Sequence, residues 1–196
     1  MTALWIAVGV LAFLLLAGVV AGFLLLAMGR LHLDLGWGRS IHPVGPIAVR
    51  IDAPRDLVFE LISAPYLGRT PHDSGIEVLA GGRDLAVALH RTPVHFYEAR
   101  TVEAIDFEPP ARVGFRHLTG PVPHAIEEFT LEEAEGATEL GYRGEIGIDY
   151  FLLGRLAARH WVRPQWERVV REHMEDIKRR SEQRARHASD GGPGAG

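Results

Sequence analysis

Residues 47–65 read IAVRIDAPRDLVFELISAP, and the change of pattern at Asp52-Ala53-Pro54 decides how the chain on either side is read. Over Ile47–Ile51 apolar residues alternate with others, the period of a strand with one buried face. Pro54 suits the first position of a helix, where a missing N–H costs little. Leu57, Val58, Leu61 and Ile62 then recur at helical spacing, which predicts a short helix over Pro54–Ser63. Ala64-Pro65-Tyr66 ends it, because the residue before a proline is pushed out of the helical region.

Downstream, Ile76–Ile148 reads as short strands separated by turn residues. Ala80-Gly81-Gly82-Arg83, Glu108-Pro109-Pro110, Gly120-Pro121-Val122-Pro123 and Glu135-Gly136 mark the turns. Six strands fit between them, over 75–80, 84–91, 94–105, 112–118, 124–132 and 138–148. Consecutive strands without helices between them imply an antiparallel meander that leaves one face to be covered. Leu152, Leu156, Val162, Trp166, Val169, Val170, Met174 and Ile177 supply the cover, recurring near helical spacing through about Arg180. Pro164 is expected to kink or divide that helix. The fold class is therefore α+β, a curved antiparallel sheet wrapped around a long C-terminal helix, with a pocket expected between the two layers.

The opening Val49-Arg50-Ile51-Asp52-Ala53-Pro54, with Val58-Phe59 and Leu61-Ile62-Ser63-Ala64-Pro65 behind it, resembles the start of the SRPBCC (START-like or Bet v 1-like) superfamily, in particular its polyketide cyclase/dehydrase and lipid-transport branch. The element order over residues 47–180 is similar too. The resemblance implies a helix-grip fold with a ligand cavity. Its members include lipid carriers, plant ligand binders, aromatic-ring cyclases and chaperone activators that share no single catalytic motif, so no catalytic residue is carried over.

Upstream, Ala3–Met28 contains no charged residue and is followed at once by Arg30. About 20 apolar residues cross a bilayer as a helix, so residues 1–29 are expected to form one transmembrane helix. A cleaved signal peptide fits less well: no Lys or Arg precedes the run, it exceeds the usual apolar core of roughly 7–15 residues, and Leu26-Ala27-Met28-Gly29-Arg30 is a weak cleavage site. Arg30, Arg39 and Arg50 all follow the helix, which puts the rest of the chain on the cytoplasmic side of the cell membrane. Residues 30–46 are then expected to be a juxtamembrane linker, 47–180 the folded domain and 181–196, polar and glycine-rich, a disordered tail. The absence of cysteine excludes a thiol nucleophile and leaves the compartment open.

The chemistry is sparsely marked. Ten histidines show no compact metal-ligand spacing, and no metal or cofactor is expected. Gly81-Gly82 lacks the lysine of a phosphate loop, and no Gly-x-Ser-x-Gly elbow exists. Glu127, Glu128, Glu132, Glu133 and Glu135 read as a solvated edge near a turn. Alternation puts His95 and Tyr97 on one side of the third meander strand, Phe115 and His117 on one side of the fourth, and Leu140, Tyr142 and Ile146 on one side of the last. These seven are the candidate ligand-binding residues, with the histidines and Tyr97 as polar points. Residues 155–186 carry 10 basic and 5 acidic side chains, so the last helix is basic, and Arg155, Arg159 and Arg163 lie along one edge of it. The net charge of −4 argues against a nucleic-acid partner. The reading is membrane-tethered binding, with transport a further option, of a lipid or other hydrophobic small molecule, with the bilayer and that ligand as partners and the oligomeric state unassigned. An enzyme of the cyclase or dehydratase type and a chaperone-like or scaffold module are the alternatives.

Overall fold

The computed structural model describes residues 1–68, 75–94 and 97–190. Seven strands form one antiparallel sheet: β1 (Ser40–Ile51), β2 (Ile76–Gly81), β3 (Leu85–Val94), β4 (Tyr97–Glu108), β5 (Arg112–Thr119), β6 (His124–Ala134) and β7 (Ala137–Ile148). Their spatial order is β1-β7-β6-β5-β4-β3-β2, so the first strand closes against the last of the meander. Helices α2 (Arg55–Ser63) and α4 (Arg163–Asp190) cover one face. Glu135 and Gly136, both with positive φ, make the two-residue turn that aligns Ala134 with Ala137 across β6 and β7, the turn whose twist matches a hairpin.

Between the layers, Ile51, Val58, Ile105, Val113, Leu140, Ile146 and Met174 are all but inaccessible to water. Helix α4 contributes Val170, Met174, Ile177 and Ser181, four buried positions on one stripe. That stripe continues through Ala185, which packs against the core, and the helix runs to Asp190. The expected disordered tail from 181 is therefore wrong over residues 181–190. Small residues carry the stripe there, and hydrophobic periodicity reads small residues poorly.

The expected linker is also corrected. Strand β1 begins at Ser40 and pairs with β7 from Ser40 opposite Ile148, with an irregularity between Val44 and Ile47 that accommodates Gly45-Pro46. Prolines are admitted because β1 is an edge strand, whose N–H groups need not all meet a ladder. Pro164 acts as expected. The helix divides into α3 (Phe151–Ala157), a π-helical turn (Ala158–Val162) and α4, because the proline ring would collide with the carbonyl four residues back in a regular helix.

Helix α1 (Thr2–Ala27) projects from this assembly. Its segment Leu4–Ala27 has mean hydropathy 2.8, is long and apolar enough to cross a membrane, and has no part of that window buried. Where the chain leaves α1 it is tied to the sheet. The Arg100 N–H donates to the Met28 carbonyl at 3.0 Å, and the His32 ring meets the Gly120 backbone. The Asp149 carboxylate accepts from the Leu35 and Gly36 N–H groups, each at 3.0 Å, and from Arg39 Nε at 2.7 Å. Arg39 and the two N–H groups hold Asp149 below the usual carboxylate range against the effect of burial.

Candidate functional site

Three adjacent strands aim polar side chains into the layer beneath α4. Alternation puts Glu103, Ile105 and Phe107 inward on β4, Val113, Phe115 and His117 inward on β5, and Ala125, Glu127, Phe129 and Leu131 inward on β6. A register shift between Val102 and Glu103 sets Glu103 directly opposite His117, the re-aiming that bulges commonly perform beside functional sites.

His117 Nε2 lies 2.9 Å from Glu103 Oε1 and 3.6 Å from Glu127 Oε2. The Thr101 hydroxyl donates to Glu103 at 3.1 Å, and His90 Nε2 stands 3.4 Å from Glu103 Oε2. Glu127 Oε1 accepts from Trp166 Nε1 at 2.8 Å and from the Tyr142 hydroxyl at 2.5 Å. Aromatic rings surround the group. Tyr66 stacks on His90 with centroids 5.5 Å apart and meets Phe107 and Phe115. Trp166 covers His117 at 5.3 Å, and Phe129 contacts Phe115, Tyr142 and His173.

Burial disfavours a proton on His117, yet its hydrogen bonds to Glu103 and Glu127 prevail and push its pKa up to about 9. Burial raises Glu103, and the hydrogen bond from the charged His117 outweighs it, holding this carboxyl below the usual range. Desolvation lowers His90 and His173, which keeps both neutral near pH 7. The Tyr142 hydroxyl is pushed far up by burial and by Glu127, so it serves as a donor. One imidazolium thus faces two carboxylates in a ring-lined interior, an arrangement suited to a cationic or hydrogen-bonding group or to proton exchange with a bound molecule. Among the described residues the ligand-type atoms of Glu103, His117 and Glu127 lie within 4.8 Å of one another. That spacing can hold a metal ion once the imidazole gives up its proton.

Of the seven candidate residues, His117 and Tyr142 join this cluster. Phe115 forms part of its aromatic wall, while Leu140 and Ile146 are fully buried core. Tyr97 is half-buried at the start of β4, and His95 lies outside the described residues. Glu127 is a correction, because it points inward beside Phe129 and Leu131 instead of joining a solvated edge. The alternation of β6 carried that signal, and the run of glutamates concealed it. Glu103, His90, Tyr66, Trp166 and His173 were not anticipated, since partners on separate strands leave no local spacing.

These rings line the interior expected as a pocket. Among the described residues, one depression of about 480 Å³ lies on the outer face near Asp106, Arg112, Glu128 and Arg143. The other, about 540 Å³, lies between Gly29-Arg30 and Leu89, Arg100, Val102 and Thr119. Neither lies between sheet and α4.

A curved seven-stranded antiparallel sheet holding one long C-terminal helix is the helix-grip fold. No protein-family model and no curated protein matches the chain. Solved helix-grip structures do. A Thermus thermophilus protein aligns with a TM-score of 0.56 at 16% identity, over 76% of this chain and 99% of that one. The di-domain ARO/CYC StfQ from the steffimycin biosynthetic pathway gives 0.56 at 12% identity, over 76% of this chain and 52% of that one. Norcoclaurine synthase from Thalictrum flavum gives 0.52 at 11%, over 68% and 84%. At these identities the likeness is one of fold, the helix-grip fold that the opening segment led one to expect.

Proposed function

We propose that the helix-grip domain binds a largely apolar small molecule bearing a cationic or hydrogen-bonding group, and that α1 tethers the domain to a membrane. The buried Glu103–His117–Glu127 cluster carries this reading. Taking ions out of water costs several kcal/mol each, and well-packed apolar residues often serve a core as well or better. A charged group retained among rings is therefore better explained by a ligand than by stability. Its place favours the same view, since His117 and Glu127 lie two and three residues from the ends of β5 and β6, the ends on which Gly120 and His32 meet below α1. A molecule arriving from a bilayer meets that end first.

The rings that meet across that interior favour a second reading, a scaffold whose outer surface does the work. One experiment separates them. The full chain, purified in detergent and extracted with organic solvent, is expected to release a bound amphiphile detected by mass spectrometry, and Glu103→Gln with His117→Leu is expected to abolish its retention. An empty protein that also takes up no member of a lipid panel overturns the binding reading and leaves the scaffold.

A further inference from the structure

The structure leaves a second apolar surface unaccounted for, and it lies beside α1. Helix α3 and the π-helical turn after it bury Gly154 and Ala158 against the domain, while Phe151, Leu152, Leu153 and Leu156 on the other sides of α3 are exposed, Leu153 by 76%. Trp37 and Trp161 extend this surface at 65% and 61% exposure. Isolated exposed apolar residues are ordinary; five within one short arm with Trp37 beside them are not.

The arm is held in this position. The Tyr150 and Phe151 N–H groups donate to the Trp37 and Gly38 carbonyls at 2.9 and 3.2 Å, and Phe151 meets the Trp37 ring edge-on at 5.4 Å. Tyr150 and Phe151 both adopt left-handed backbone, with φ of 77° and 49°, a conformation costly for bulky side chains. Without these, α3 would not present its leucines away from the sheet. Its depth is set by α1, because Trp161 stacks on Phe23 with centroids 5.8 Å apart. Phe23 lies inside the apolar span Leu4–Ala27, about one helical turn from its end. Trp161 therefore stands level with the outer part of whatever bilayer α1 crosses. Arg155, Arg159 and His160 are exposed between the apolar residues, where long cationic side chains can reach anionic headgroups while their stems stay in apolar surroundings.

We propose that α3 and the following π-helical turn lie in the bilayer interface as a second membrane contact, with an anionic lipid surface as its partner. The proposal rests on α1 spanning the membrane. It gives the domain a fixed pose, with the β6–β7 turn far from the lipid, roughly 35–40 Å along a twelve-residue strand.

Because the chain has no cysteine, single cysteines report position cleanly. Leu153→Cys, Val20→Cys in α1 and Glu132→Cys at the far end of the sheet, each in the full chain, are nitroxide-labelled. The proteins are placed in nanodiscs of equal parts phosphatidylcholine and phosphatidylglycerol. The expected result is that the labels at 153 and 20 collide more with oxygen than with a water-soluble nickel chelate, and the label at 132 does the reverse. Leu152→Cys repeats the reading one position along, so a single perturbed site cannot decide it. Labels at 152 and 153 that match 132 while 20 matches lipid overturn the proposal and leave the tether standing. A label at 20 that matches 132 overturns the tether and the proposal together.

Discussion

Asp149 and Glu103 are both buried carboxylates, and they are buried in different ways. Asp149 meets two backbone N–H groups and the Arg39 guanidinium, a set matched to its oxygens. Glu103 meets His117 and the Thr101 hydroxyl with His90 Nε2 beside it at 3.4 Å, while His117 Nδ1 and His90 Nε2 have no hydrogen-bond partner among the described residues. The first is a clamp that fastens the segment after α1 to the end of β7. The second keeps unspent hydrogen-bonding capacity in a buried interior, which is costly in a core and useful to a ligand.

The largest effect is expected at the clamp. Asp149→Ala strands Arg39 and two N–H groups, and is expected to lower stability by about 3 kcal/mol, read by chemical denaturation of the full chain in detergent. The interior is expected to respond otherwise. Glu103→Ala alone leaves His117 with one carboxylate and costs about 2 kcal/mol. Replacing Glu103 and His117 together by leucine, which leaves Glu127 its bonds from Trp166 and Tyr142, is expected to cost less than Glu103→Ala alone while ligand retention is lost. A double variant as damaged as Glu103→Ala would show the cluster to be structural.

The pH dependence of the interior cluster has two limbs. His117 titrates near 9 in the folded chain against about 6.5 unfolded. Its contribution to stability is therefore complete below about pH 6.5 and is lost as pH rises towards 9. Glu103, lowered on folding, contributes above its unfolded value near 4.5 and loses that contribution as pH falls below it. Imidazole nitrogen shifts in NMR spectra follow the His117 titration directly, and Glu103→Gln is expected to move its midpoint down. The smallest effect belongs to Gly38, whose φ is +61° and whose added Cβ would stand 2.5 Å from the Phe151 ring. Gly38→Ala is expected to cost about 1 kcal/mol and to change the labelling pattern at Leu153 more than the melting of the core.

Much of this architecture was legible in the chain. The six meander strands lie within a few residues of their expected bounds because Gly, Pro and Glu135-Gly136 punctuate them and because a strand with one buried face must alternate. Helix α2 and the division before α4 follow from Pro54 and Pro164 for the same local reason. The errors have local causes too. Prolines in an edge strand read as a linker, and a stripe of serine and alanine read as a tail.

The site was legible only in part. His117, Phe115 and Tyr142 fell on the inward side by alternation, but alternation does not tell which inward residues of different strands will meet. Glu103 faces His117 because of a bulge and the pairing of β4 with β5, Trp166 reaches Glu127 because α4 crosses the sheet at that level, and Asp149 finds Arg39 across more than a hundred residues. Periodicity is a property of neighbours along the chain, so composition and spacing suffice for the anchor-like helix, the meander and the gripping helix. Charge pairing and burial depend on distances between segments remote in sequence, and those exist only once the sheet has closed around α4.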